Sequence, residues 1–178
     1  VNPHWQQYRP FLVFLGKFFL TYLLLTVAYQ VYLSSFDEAT FEPDGFTSIV
    51  ASNSRDLLLA TGYDASITPH PGEPSYRFFL NDKSVARIVE GCNAISVIIL
   101  FVAFVVAFTG RAKHTFLFII GGILLIHILN VARISGLVLG LVYYPQYKTL
   151  MHDILFPLFI YGIVFGLWVI WVKKFSVR

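Results

Sequence analysis

The strongest constraint on this chain is the length of its apolar runs. A helix needs roughly 20 mainly apolar residues to cross roughly 30 Å of hydrocarbon, and four segments meet or approach that length. Phe11–Leu33 is interrupted by Lys17 and Gln30. Asn93–Thr109 carries no charge. Thr115 to Tyr144 is longer than a crossing requires and contains His127, Asn130 and Arg133. Ile154–Val172 is rich in Phe, Ile and Trp. The composition agrees: 57% of residues are hydrophobic and 13% charged, with a mean hydropathy of +0.70, against about 45–50% and about 25% in soluble domains. Disorder is excluded by the apolar content, and one cysteine cannot form a disulfide within the chain. The fold class expected is an all-α membrane protein, a four-transmembrane-helix bundle with a small α+β loop domain on its outer face.

Charge sets the expected orientation. Arg9 precedes the first run, Arg111 and Lys113 lie between the second and third, and Lys173, Lys174 and Arg178 follow the fourth, with no acid in any of these segments. Ser34–Gly91 is opposite in character, with nine Asp or Glu against four Lys or Arg. The positive-inside rule places the basic segments in the cytoplasm and the acidic loop outside. The expected organisation is a cytoplasmic N-terminus (1–10), helix 1 (11–33), an outer loop domain (34–91), helix 2 (93–109), a cytoplasmic turn (110–114), helix 3 (115–144), an outer loop (145–151), helix 4 (152–172) and a cytoplasmic C-terminus (173–178). The first run is too long for a signal peptide, and no A-x-A site follows it. Within the outer loop, Phe46, Ile49, Val50, Leu57 and Leu58 approach helical spacing, and Gly62 stands where that helix should end. Further on, YRFFL and VARIV flank Asn81-Asp82-Lys83-Ser84 and read as a hairpin.

This topology gathers three polar residues at one depth. Cys92 stands just before helix 2, at the outer interface. Arg133 lies 17 residues beyond Phe116, roughly 25 Å across the membrane by helical rise. His152 opens helix 4 on the same side. A thiolate is the reactive form of cysteine and is favoured by a nearby cation. An imidazole is suited to take the thiol proton and return it to a leaving amine, and a guanidinium offers fixed donors to an oxyanion. The chemistry implied is acyl transfer or peptide cleavage at the outer surface. Asn93 and Asn130 are the neighbours expected to support the site or contact substrate, Asn130 being three residues before Arg133 and on nearly the same face.

Taken singly, each residue also has a plainer reading. Cys92 suits a small packing position, Arg133 can snorkel to head groups, and His152 with Asp153 suits a helix N-terminus. Adjacent residues on a helix diverge by about 100°, so Asp153 is not expected to orient His152. Asn130 equally suits an interhelical packing bond. His127, placed near mid-membrane, reads as interhelical packing, and Lys17 as snorkelling to cytoplasmic head groups. Gly121, Gly122, Gly136 and Gly140 suit close helix contact. Tyr143, Tyr144, Tyr147, Trp168 and Trp171 read as aromatic-belt residues. A zinc site on Cys92 and His152 lacks further ligands at suitable spacing, so neither a metal nor a cofactor is expected.

The segments EGCNAIS and NVARISG, with His152 at the start of the last run, resemble the exosortase/archaeosortase family of membrane cysteine transpeptidases, closest to the short F-type exosortases of Bacteroidota. The resemblance runs from about Val85 to the end of the chain, and by motif match the family's Cys, Arg and His fall on Cys92, Arg133 and His152. Where members commonly have Ser-Gly or Asn-Gly after the Cys, this chain has Asn93-Ala94. The resemblance implies a location in the bacterial inner membrane with the site facing the periplasm. It also implies membrane-anchored substrate proteins that carry a C-terminal motif, a transmembrane helix and a basic tail. The lipid bilayer is the other expected partner, and no nucleic acid is. A non-enzymatic membrane scaffold, serving assembly of an export or surface-polymer system, is the competing expectation. A small-solute transporter fits less well, because the intramembrane charge gathers at one face and not at the midplane.

Overall fold

The computed structural model describes residues 3–36, 41–108 and 110–175; Arg178, counted above among the basic tail residues, lies outside them. In chain order these form α1 (Pro3–Leu33), α2 (Gly45–Ala60), β1 (Ala65–Pro69), β2 (Ser75–Leu80), β3 (Lys83–Val89), a 3-10 turn (Glu90–Cys92), α3 (Ile95–Ala107), α4 (Ala112–Tyr143), a 3-10 turn (Pro145–Tyr147), a π-helical turn (Leu150–Leu155) and α5 (Phe156–Lys174). The chain is thus mostly helical with one small sheet. Among the described residues, Tyr8–Leu33, Ala112–Tyr143 and Leu150–Lys174 are long and apolar enough to cross a membrane.

The expected second crossing, Asn93–Thr109, is shorter as a regular helix. α3 has 13 residues, about 20 Å at 1.5 Å per residue. It starts late because Ala94 is left-handed (φ 63°, ψ 12°), and it stops where Phe108 turns extended (φ −83°, ψ 132°). α3 is nevertheless the centre of the bundle. It packs against α1, α4 and α5, and Ile99, Phe101, Ala103, Val105 and Ala107 are all buried, as befits a helix apolar on every side. Phe14 of α1 meets Phe108, Phe104 stacks on Trp168 of α5 at 4.2 Å, and Phe101 lies against Phe118 of α4. α1 touches little except α3, so most of its apolar surface, including Phe11, Leu20 and Leu24, is exposed.

α4 belongs to two cores. Ile126 joins Phe101, Val105, Ile160, Val164 and Trp171 in the bundle. Two to three turns further on, Ile134 and Val138 join Val50, Leu58, Phe78, Leu80 and Ile88, the core of the cap formed by α2 and the sheet. This explains why the third apolar run exceeds a membrane crossing: its final third is the floor of the cap. α2 begins at Asp44, whose carboxylate accepts from the backbone N–H groups of Phe46 and Thr47 at 3.0 Å, and it ends before Gly62 (φ 89°). The sheet is an antiparallel meander in the order β1-β2-β3. The hairpin expected from the sequence is β2–β3, pairing Leu80 with Lys83 and Ser75 with Val89. Asn81 and Asp82, both at positive φ, make the tight turn between its strands. β1 adds a strand that periodicity alone did not reveal.

Two of the four singled-out glycines make close contacts. A Cβ on Gly122 would stand 2.2 Å from the Phe101 ring, and one on Gly140 would stand 2.7 Å from the Met151 sulfur, whereas Gly121 and Gly136 have open space. Trp171 is fully buried and stacked on Phe175, so it is a core residue and not part of an interfacial belt. Gly122→Ala is expected to destabilise the bundle by about 1–3 kcal/mol through overpacking, seen as a lower thermal midpoint in detergent. Gly121→Ala, one residue away, should leave the midpoint unchanged or slightly raised.

Candidate active site

The turn that carries Cys92 is fixed from three directions. Asn93, buried in the turn, accepts from the Ile95 N–H at 2.9 Å and so starts α3. Its Nδ2 donates to the Tyr29 hydroxyl of α1 at 2.8 Å and to Thr47 of α2 at 3.4 Å. Tyr29 in turn donates to Glu90 at 2.7 Å, and Thr47 donates to Asp44. From α4, the Nδ2 of Asn130 donates to the Cys92 carbonyl at 2.8 Å. Asn130 is fully buried, and its Oδ1 has no partner.

These contacts assign the two expected supporting residues. Asn93 faces away from the cleft into a polar network that ties the turn to α1 and α2. Asn130 holds the Cys92 backbone, so of the readings open to it the bond between elements is the one formed. Ala94 is left-handed (φ 63°), a backbone that costs an L-residue roughly 1–2 kcal/mol.

Cys92, Arg133 and His152 line one cleft of about 180 Å³, closed otherwise by Arg87 and Ile88 of β3, Leu137 of α4 and Phe156 and Pro157 at the head of α5. Cys92 is a free, half-buried thiol. Arg133 is also half-buried. The ion pairs among the described residues do not include it. Arg87, by contrast, is committed: it donates to Glu73 at 2.6 Å, and that hydrogen bond is the main cause holding the Glu73 carboxyl below its ordinary range.

His152 is exposed on the cleft rim, and its Nδ1 is 2.7 Å from Asp153 Oδ1. This corrects the expectation that neighbouring residues diverge too far to meet. Leu150–Leu155 is wound as a π turn, with Phe156 N–H bonded to the Met151 carbonyl five residues back, and the angular step per residue is smaller there than in an α-helix. Pro157 has no N–H to bond the Asp153 carbonyl, which favours the wider winding. Cys92 and His152 make no direct hydrogen bond in this resting arrangement; catalytic contacts often tighten only when substrate is bound.

Other polar residues are elsewhere. His127 is bonded to Asn53 of α2 at 2.9 Å, which places it against the cap and not in the middle of an apolar bundle. Lys17 lines a cavity with Phe108, Gly110 and Thr115 at the opposite end of the bundle. Three features were not anticipated: the Tyr29–Glu90 bond, the Asp153 contact and the presence of Arg87 on the cleft wall. No family model, no curated protein and no solved structure matches this chain.

If Asn93 is a structural anchor, Asn93→Ala should lower the thermal midpoint, costing about 2–3 kcal/mol for several buried groups left unpaired. Ala94→Gly should raise it by about 0.5–1 kcal/mol, because relief of the left-handed backbone exceeds the loss of one buried methyl. An unchanged midpoint in Asn93→Ala would instead assign this side chain to the cleft.

Proposed function

We propose that this chain is a membrane-embedded cysteine transpeptidase or protease that cleaves C-terminal sorting signals of exported proteins. One observation carries the reading: residues 92, 133 and 152, from three separate elements, line one cleft, and the ion pairs among the described residues leave the guanidinium without a carboxylate. A half-buried cation without a counter-ion is costly, and the charge it would stabilise is one that develops during reaction. The motifs around Cys92 and Arg133 add the family resemblance.

In the proposed reaction His152 takes the proton from the Cys92 thiol, and the thiolate attacks the carbonyl carbon of the scissile peptide. The resulting oxyanion lies against Arg133. The C–N bond breaks as the imidazolium returns its proton to the leaving amine. The thioester that remains is resolved by water or by an acceptor amine.

The proposed setting is the bacterial inner membrane, with four crossings, both termini cytoplasmic and the cleft facing the periplasm. The basic residues at one end of the bundle and the acidic cap at the other support that orientation. From Ala112 to Asn130 α4 covers about 28 Å, close to one hydrocarbon thickness, and α3 makes up its crossing with the turns at either end. Substrates in this reading are membrane-anchored proteins whose C-terminal motif, transmembrane helix and basic tail bring an extended segment to Cys92.

Co-expression with a tail-bearing reporter tests the proposal. Cys92→Ala and Cys92→Ser are expected to abolish processing while the protein still accumulates, and intact-mass analysis of the native chain should find a substrate adduct on Cys92. Arg133→Lys, which keeps the charge but loses the planar donor fork, should slow processing by about 10- to 100-fold. Normal processing in Cys92→Ala would overturn the proposal and leave a scaffold role, in which Cys92 only packs.

A further inference from the structure

We propose that Asp153 is a positioning residue for His152, fixing the imidazole tautomer and hydrogen-bonding the imidazolium that forms when Cys92 gives up its proton; this rests on the thiol–imidazole reading above. The contact is short, 2.7 Å from His152 Nδ1 to Asp153 Oδ1. With Nδ1–H donating to the carboxylate, Nε2 is the ring nitrogen left with a lone pair, and it is the one able to receive the thiol proton. When that proton passes from Cys92 Sγ to Nε2, the products are a thiolate and an imidazolium that is still hydrogen-bonded to Asp153.

The charges around the cleft make this carboxylate decisive. The ionisable residues that line the cleft with His152 are Arg133 of α4, Arg87 of β3 and Cys92 of the 3-10 turn, and Asp153 contacts His152 from its own π turn. Arg87 is paired with Glu73, which leaves Arg133 as the cation in the cleft that disfavours a positive imidazole. Glu73 is spent on Arg87, and Glu90 accepts from Tyr29. Asp153 is therefore the acid in contact with His152 that offsets Arg133. Residues 152 and 153 meet within the π turn at the head of α5, as the adjacent Arg55 and Asp56 meet within α2. Met151, the residue before the pair, lies against Gly140.

The single cysteine allows a test that needs no substrate. In the purified full-length chain, iodoacetamide alkylation reports on Cys92 alone, and its rate against pH follows the thiolate. In Asp153→Asn the rate near pH 7 is expected to fall by about three- to tenfold and the profile to move to higher pH, as for loss of an exposed opposite charge. Asp153→Glu should restore most of the rate, and His152→Ala should be slowed at least as much as Asp153→Asn. The thermal midpoint of Asp153→Asn should match that of the native chain, since both side chains are exposed. A superimposable Asp153→Asn profile beside a displaced His152→Ala profile overturns the positioning role and leaves the thiol–imidazole pair standing. Superimposable profiles in both variants overturn the pair itself. A lowered midpoint with an unmoved profile makes Asp153 a stability residue and overturns the proposal.

Discussion

One amide bond orders the site end of this molecule. Asn130 donates to the carbonyl of Cys92, joining the turn between the sheet and α3 to the middle of α4. One turn toward the N-terminus of α4, Ile126 is packed in the bundle; one turn toward its C-terminus, Ile134 is packed under the sheet. The cap and the bundle therefore share a helix, and the thiol sits where they meet. Cys92 and Arg133 are held in register because both depend on the same stretch of α4. His152 is tied in less directly, through the close approach of Met151 to Gly140.

The polar groups around this junction divide sharply. Those behind Cys92 are satisfied: Asn93, Tyr29, Glu90, Thr47 and Asp44 form a connected network. On the cleft side, the ion pairs among the described residues do not include Arg133. A fully paired network makes a backbone rigid, and an unpaired group is costly. The side that supports the turn is thus closed, while the cleft side holds a cation that those ion pairs leave free. Ala94 adds a backbone cost at the same place. Backbone strain of this kind persists only where the surroundings over-determine it, as the bonds to Asn93 and Asn130 do here.

How far this was legible in the sequence depended on the kind of signal. Length and hydropathy located α1, α4 and α5, and the charge-free run located α3, although not its ends. Those ends depend on the Asn93 side chain and the φ of Ala94, which hydropathy does not register. Helical rise placed Arg133 at the level of Cys92, and the cleft has both, because rise per residue is nearly invariant. Angular reasoning served less well. A divergence of about 100° does not keep adjacent side chains apart, since Arg55 meets Asp56 within α2 as His152 meets Asp153 in the π turn. The third strand was missed because Ala65–Pro69 pairs along its length with β2 but lacks a clear alternating pattern. Trp171 was misplaced because an aromatic residue near a helix end is ordinarily interfacial, and only packing shows that Phe118 and Phe175 enclose it.

The size of the cleft bears on how the proposed chemistry would proceed. At about 180 Å³ the cleft is smaller than the roughly 300–1,000 Å³ of ordinary ligand pockets, which suits a peptide bond arriving in an extended stretch better than a folded segment. Leu137, Phe156 and Pro157 give its lining apolar surface, and Arg133 and His152 give it polar groups. A bound chain that displaced the water would lower the local dielectric and strengthen the attraction between Arg133 and an oxyanion severalfold over its value in bulk solvent. The same displacement would keep water from the acyl intermediate until the leaving segment departs. In the proposed mechanism the balance between hydrolysis and transfer is then governed by which nucleophile enters the cleft as the leaving segment departs, and His152 on the exposed rim is placed to deprotonate it.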